Sequence, residues 1–222
     1  MKRMIGSAAV AFALVLGGYV LLGQNGNSSS VPSNPLGAAN AQDAGDVDTS
    51  GIVEMQIGNP DAPVTIIEYA SYTCPHCARF HAGPYKELKS QYIDTGKINF
   101  IYREVYFDRF GLWASAIARC AGPDKFFGIT DLLYASQAEW SRAGDPAAVI
   151  GELRKIGRLA GLDGETLEAC LQDGEKLQTL VAWFQQNADR DDVNSTPSFV
   201  INGTKHSNMS FQQMAEIIDS NS

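Results

Sequence analysis

The chain has 222 residues, 45% of them hydrophobic, and a formal net charge of −8. That length suits one domain, or one domain carrying an insertion, with an ordinary core. The acidity, and the lack of any stripe of Lys and Arg, argue against nucleic acid as a partner, which wants a basic face.

At the N-terminus Lys2 and Arg3 precede an uncharged apolar run, Ile5 to Leu22. Two readings of residues 1–23 stand. One is a cleaved export signal, with Ala39-Asn40-Ala41 as a distant cleavage site. The other is a single membrane anchor, near the lower limit of roughly 17 residues for a spanning helix. Both carry the rest of the chain out of the cytoplasm, because the basic flank stays inside. Residues 24–50 lack aromatic residues, Lys and Arg. Such a segment buries too little apolar surface to offset its ordering entropy, and it reads as a flexible linker. The folded part is expected over 51–222.

A short strand fits Val53–Ile57, and Asn59-Pro60-Asp61-Ala62-Pro63 is turn chemistry. Val64–Ala70 is β-branched and nearly all apolar, as a central strand buried on both faces should be. Cys77, Phe80, Pro84 or Tyr85, and Leu88 then recur at helical spacing, with Pro84 expected to kink the helix. Lys97–Arg103 reads as the next strand, which makes a parallel βαβ unit. From about 108 to 194 nearly everything reads helical, more than one crossover needs. Asp145-Pro146 opens one of these helices. Phe107, Phe110, Trp113, Phe126, Phe127 and Trp140 read mostly as core of this insert. The sheet resumes with Pro197–Ile201, an Asn202-Gly203 hairpin turn, and Thr204–His206. Ser210 and Gln213 form a capping box for a last amphipathic helix. The class is therefore α/β, with an all-helical insert between a βαβ half and a ββα half.

Cys74-Pro75-His76-Cys77 falls where the buried strand turns into a helix. Pro75 suits the first helical position, which puts Cys74 at the N-cap beside unsatisfied N–H groups and the positive end of the helix dipole. A protonated His76 would add a second positive charge. Both effects favour the Cys74 thiolate and mark it as the attacking and leaving sulfur. Cys77, one turn on, is expected to be the more buried resolving sulfur. The competing readings of this spacing are half a zinc site and a purely structural local bridge.

If Cys74 pairs with Cys77, Cys120 and Cys170 remain, both on apolar faces of the helical insert. In an oxidising compartment these are expected to form a structural disulfide; the alternative is two buried free thiols. Thr196-Pro197 opens a central strand, where Pro is unusual; a cis bond and an ordinary strand-start trans bond both remain open. A cis loop against the redox pair would offer the Thr196 backbone to an extended substrate. Glu68 is the lone acid of its strand, on the side of Val64 and Ile66. It reads either as a buried proton shuttle for Cys77 or as a partly solvated strand residue. His81 and His206 have no nameable partner and read as surface residues.

The segment from Ile66 to Cys77, with its Glu68-to-Cys74 spacing, the helical insert and Thr196-Pro197 together resemble the DsbA family of thiol–disulfide interchange proteins. The resemblance runs from about Ile52 to Ser220. It implies a thioredoxin fold with an inserted helical domain, Cys74 as nucleophile, Cys77 as resolving cysteine, Pro197 in cis and Glu68 as a buried acid. It also implies oxidation of reduced exported proteins and reoxidation by a quinone-linked membrane partner of the DsbB type; from the N-terminal segment the chain is expected in the periplasm, and it is expected to be a monomer. No metal, nucleotide or flavin is called for. Two rivals remain: a disulfide isomerase or dedicated thiol reductase, and a tethered zinc-binding or protein-binding module without turnover.

Overall fold

The computed structural model describes residues 47–221. The expected signal or anchor and most of the expected linker lie outside these residues. The end of that linker does make contacts: the Thr49 hydroxyl donates to the Gln186 side chain at 2.8 Å, and the Gln186 amide donates to the Val47 carbonyl at 3.3 Å. Among the described residues no helix is long and apolar enough to cross a membrane.

Among the described residues, five strands form one sheet: β1 (Met55–Gly58), β2 (Val64–Ala70), β3 (Ile98–Glu104), β4 (Ser198–Ile201) and β5 (Thr204–Ser207), in the order β1-β3-β2-β4-β5. Only the β2–β3 pair is parallel; the others are antiparallel. β2 is therefore central, and Glu68 sits between Tyr102 of β3 and Phe199 of β4. The first strand starts two residues later than its sequence pattern suggested, because pairing of Met55 with Tyr102 sets its register. It ends at Gly58, where φ is +101° and an added Cβ would stand 2.4 Å from the Ile98 carbonyl oxygen. Only glycine fits that turn.

Between β2 and β3 run α1 (Pro75–Ala82), α2 (Pro84–Leu88) and a wide π-type turn, Lys89–Ile93. The expected kink is a full break at Gly83. Pro84 has no N–H to continue the ladder, so it starts a new helix at its first position. The insert follows as α3 (Arg109–Cys120), α4 (Pro123–Ala135), α5 (Gln137–Trp140), α6 (Pro146–Leu159), α7 (Gly164–Gln172) and α8 (Gly174–Arg190). Asp108, Asp145, Asp163 and Asp173 each cap the N-terminus of one of these helices through a side-chain oxygen. α9 (Phe211–Ser220) closes the chain and carries the Ser210–Gln213 capping box.

Strand alternation divides the core. Val64, Ile66 and Ala70 join Phe80, Tyr85, Phe100, Phe126 and Phe199 in one large cluster on the side of α1 and the insert. Ile67 and Tyr69 face the other side, with Val105, Val200 and Phe184 of α8. Phe107 departs from its assignment to the core. It is 61% exposed, in the turn just before Asp108.

Cys120 and Cys170 are joined, tying the end of α3 to α7 across 50 residues of sequence. Closing a loop of that length restricts the unfolded chain by about 4 kcal/mol. The double variant Cys120→Ala/Cys170→Ala is expected to lose about that much in urea unfolding. A midpoint equal to that of the parent would show that the bridge does not stabilise the fold.

Candidate active site

β2 ends at Ala70, and Ser71–Thr73 carry the chain to Cys74 at the N-cap of α1, with Pro75 in the first position. Cys74 is 8% exposed and Cys77 is fully buried. Both are thiols, so the centre is in its dithiol form. The Cys74 thiol points at the Thr196 carbonyl, 3.6 Å away. The Thr196–Pro197 peptide is cis. The two halves of the fold therefore meet at this sulfur.

The two thiols are displaced in opposite directions. The Cys77 thiol, Thr196 and the N–H groups of Cys77 and His76 all hydrogen-bond the Cys74 sulfur and outweigh its burial; they hold its pKa at about 5. Burial pushes the Cys77 thiol far up. The hydrogen bond to Cys74 pushes it further, as does Glu68 whenever its carboxyl is ionised, against a backbone hydrogen bond from Ser71. One sulfur is thus poised as thiolate and the other as thiol.

His76 is exposed, and its Nδ1 accepts from the Arg79 guanidinium at 2.8 Å. The Arg79 guanidinium brings a fixed positive charge to the outer face of α1 beside His76. His76 contributes its backbone N–H to Cys74.

Glu68 is fully buried. Its Oε2 lies 3.0 Å from Nε2 of His81, which is only 4% exposed. The surface reading of His81 is thus corrected. The signal was present in the spacing: His81 lies four residues after Cys77, on the same helix face. His206 is half-buried on the edge strand β5, opposite Phe199.

The insert grips the active-site loop by groups that sequence reasoning missed. The buried Gln137 amide donates to the carbonyls of Tyr72 (2.8 Å) and Cys74 (2.9 Å). The Tyr134 hydroxyl donates to the Ser71 carbonyl at 3.2 Å. Thr73 donates its hydroxyl to Asp108, the residue that caps α3, at 2.8 Å. Three loop carbonyls and a hydroxyl are thus held by elements lying 35 to 65 residues away in sequence, and for the Ser71 and Cys74 carbonyls these bonds add to local ones from the Cys74 and Ala78 N–H groups.

A thiol pair of split acidity at a helix N-terminus, backed by an X-Pro loop, defines a class, and comparison with known proteins agrees. A family model described as Thioredoxin matches residues 50–220, and the chain belongs to that family. Within it the chain is DsbA-like. The structure of Wolbachia pipientis alpha-DsbA1 superposes with a TM-score of 0.69 at 26% identity, covering 76% of this chain and 90% of that one. BdbD from Bacillus subtilis shares the fold, with a TM-score of 0.67 at 22% identity over 76% of this chain and 92% of its own. A Rickettsia bellii chain, named as a candidate protein-disulfide oxidoreductase, is 35% identical over 167 residues, or 75% of this chain. The chain covers 63% of that relative's length.

Proposed function

We propose that the chain is a thiol–disulfide oxidoreductase that donates disulfides to reduced exported proteins at Cys74-Pro75-His76-Cys77. The observation that carries this is the split between the thiols: Cys74 held at about 5, Cys77 pushed far up. A substrate thiolate attacks Cys74 of the oxidised pair, and Cys77 leaves and takes a proton. A second substrate thiolate attacks the substrate sulfur of the mixed disulfide, and Cys74 leaves as a stable thiolate. The substrate has lost two electrons and gained one S–S bond; the protein holds both electrons as its dithiol. Thr196 and Pro197 offer the backbone edge against which an extended substrate lies.

The reaction needs no resident cofactor. The reoxidant is a quinone-linked membrane oxidase of the DsbB type, and the protein works in the periplasm as a monomer. It is either free after cleavage of a signal or tethered by residues 5–22. The names of the Rickettsia and Wolbachia relatives support the oxidoreductase class. A zinc module would need further ligands beside the two thiols, and among the described residues no group of three or more His, Cys, Asp or Glu side chains is placed to hold a metal ion.

Equilibrating the full chain with glutathione buffers and titrating the Cys74–Cys77 pair tests the direction. A strongly oxidising potential is expected. A reducing one, like that of thioredoxin, would overturn donation and leave the isomerase or reductase reading.

A further inference from the structure

The His81 ring is held like a plate in a rack. It stacks on Tyr134 (centroids 4.2 Å apart, planes at 22°) and packs at a tilt on Tyr85 (4.5 Å, 34°). Phe80 and Tyr102 meet it edge-on. Its Nε2 is taken by Glu68. Its Nδ1 is buried and has no protein partner, and neither has Glu68 Oε1.

His81 also lines a cavity of about 260 Å³ between α1, α2 and α4. Ala82, Lys86, Asp131 and Ala135 on its lining are exposed, so the cavity reaches solvent. Such a volume, with polar groups around it, holds several waters. Among the lining residues His81 alone hydrogen-bonds Glu68. The titratable and charged groups facing it are Glu68 of β2, Cys77 of α1, Tyr102 of β3, Tyr85 and Lys86 of α2, Lys89 of the π-type turn, and Asp131 and Tyr134 of α4.

We propose that His81 is a proton relay, carrying protons between water in this cavity and the buried Glu68–Cys77 pair. The idea rests on the oxidoreductase reading above. When Cys77 leaves the disulfide it takes a proton from Glu68. Glu68 is refilled from His81 Nε2, and Nδ1 takes a proton from the cavity. The imidazole ends as its other neutral tautomer. Reoxidation runs the same path backward: Cys77 gives its proton to Glu68, Nε2 receives it, and Nδ1 releases one to the cavity. One full cycle restores the starting tautomer, so the ring never has to turn between its two tyrosines.

The test is single-turnover reduction of the oxidised full chain by dithiothreitol, in light and heavy water, for the parent, His81→Gln and His81→Ala. Unfolding curves establish which variants are folded. Proton relays contribute on the order of a hundredfold or more in rate. Both variants are expected to slow by at least tenfold and to change the solvent isotope effect. Free imidazole, small enough for the cavity, is expected to restore His81→Ala but not His81→Gln. A folded His81→Gln at the parental rate and isotope effect overturns the relay, and so does a slowed, folded His81→Ala that imidazole leaves unchanged. If His81→Ala does not fold, His81→Gln alone decides. A parent chain that fails to exchange with dithiothreitol at all counts against the oxidoreductase reading itself.

Discussion

The reduction potential of the Cys74–Cys77 pair is expected to change slope near pH 5. A thiol held at about 5 in place of its ordinary 9.0 is ionised across the neutral range. Above pH 5, reduction then takes up one proton, on Cys77, and the potential falls by about 30 mV per pH unit. Below pH 5 both sulfurs are protonated and the slope doubles. At pH 7 the two units by which ambient pH exceeds the Cys74 value make the pair about 60 mV more oxidising than one with an ordinary first cysteine, which is still protonated there. The same displacement stabilises the reduced fold by roughly 3 kcal/mol at pH 7. The sign follows from a depressed value: the stabilisation is complete above pH 9.0, the unfolded value, and is lost as pH falls through about 5. Glutathione titrations between pH 4 and 9, read beside thiolate absorbance, measure it. A single slope across that range, or a break near 9, would mean that Cys74 is an ordinary thiol.

Arg119→Ala is expected to cost about 3–5 kcal/mol in urea unfolding. The Arg119 guanidinium, 5% exposed, meets both oxygens of Glu104, 1% exposed, at 2.6 Å, and donates to the Val53 carbonyl at 2.9 Å. Ser115 donates to the same carboxylate at 2.9 Å. Removing the arginine strands a carboxylate among Phe126 and Trp183, the rings over which the guanidinium lies. The double change Arg119→Met/Glu104→Leu should cost much less, because no charge is then left unpaired. Equal losses in the two variants would mean that packing volume, rather than the unpaired charge, sets the cost. Arg119 adjoins Cys120, so this change and removal of the disulfide should not add independently.

What could be read from the sequence was whatever repeats locally. The strand Val64–Ala70, the Pro75 helix start and the Asn202-Gly203 turn each announce themselves within a few residues. The structure agrees at each: Cys74 is the N-cap, and Asn202 and Gly203 both have positive φ, 45° and 83°. Residues whose meaning depends on distant partners were illegible. Gln137 serves carbonyls 65 and 63 residues upstream, and nothing around it distinguishes it from an exposed helix glutamine. His81 is buried because Tyr134, from the insert, closes over it. Phe107 fails the other way: a bulky ring beside a helical pattern looked like core, yet it lies in the turn before the helix begins.

The grip of Gln137, Tyr134 and Asp108 on the loop from Ser71 to Cys74 makes the proposed redox centre joint property of the sheet and the helical insert. A thioredoxin core trimmed of its insert would keep both sulfurs but expose the scaffolding that aims them. A transplanted Cys-x-x-Cys tetrapeptide would likewise bring its own chemistry and not its own support. Tuning of this centre is therefore open to changes in α4 and α5, far in sequence from either active cysteine. The insert is thus a structural lever on the thiols, whatever else its outer face comes to bind.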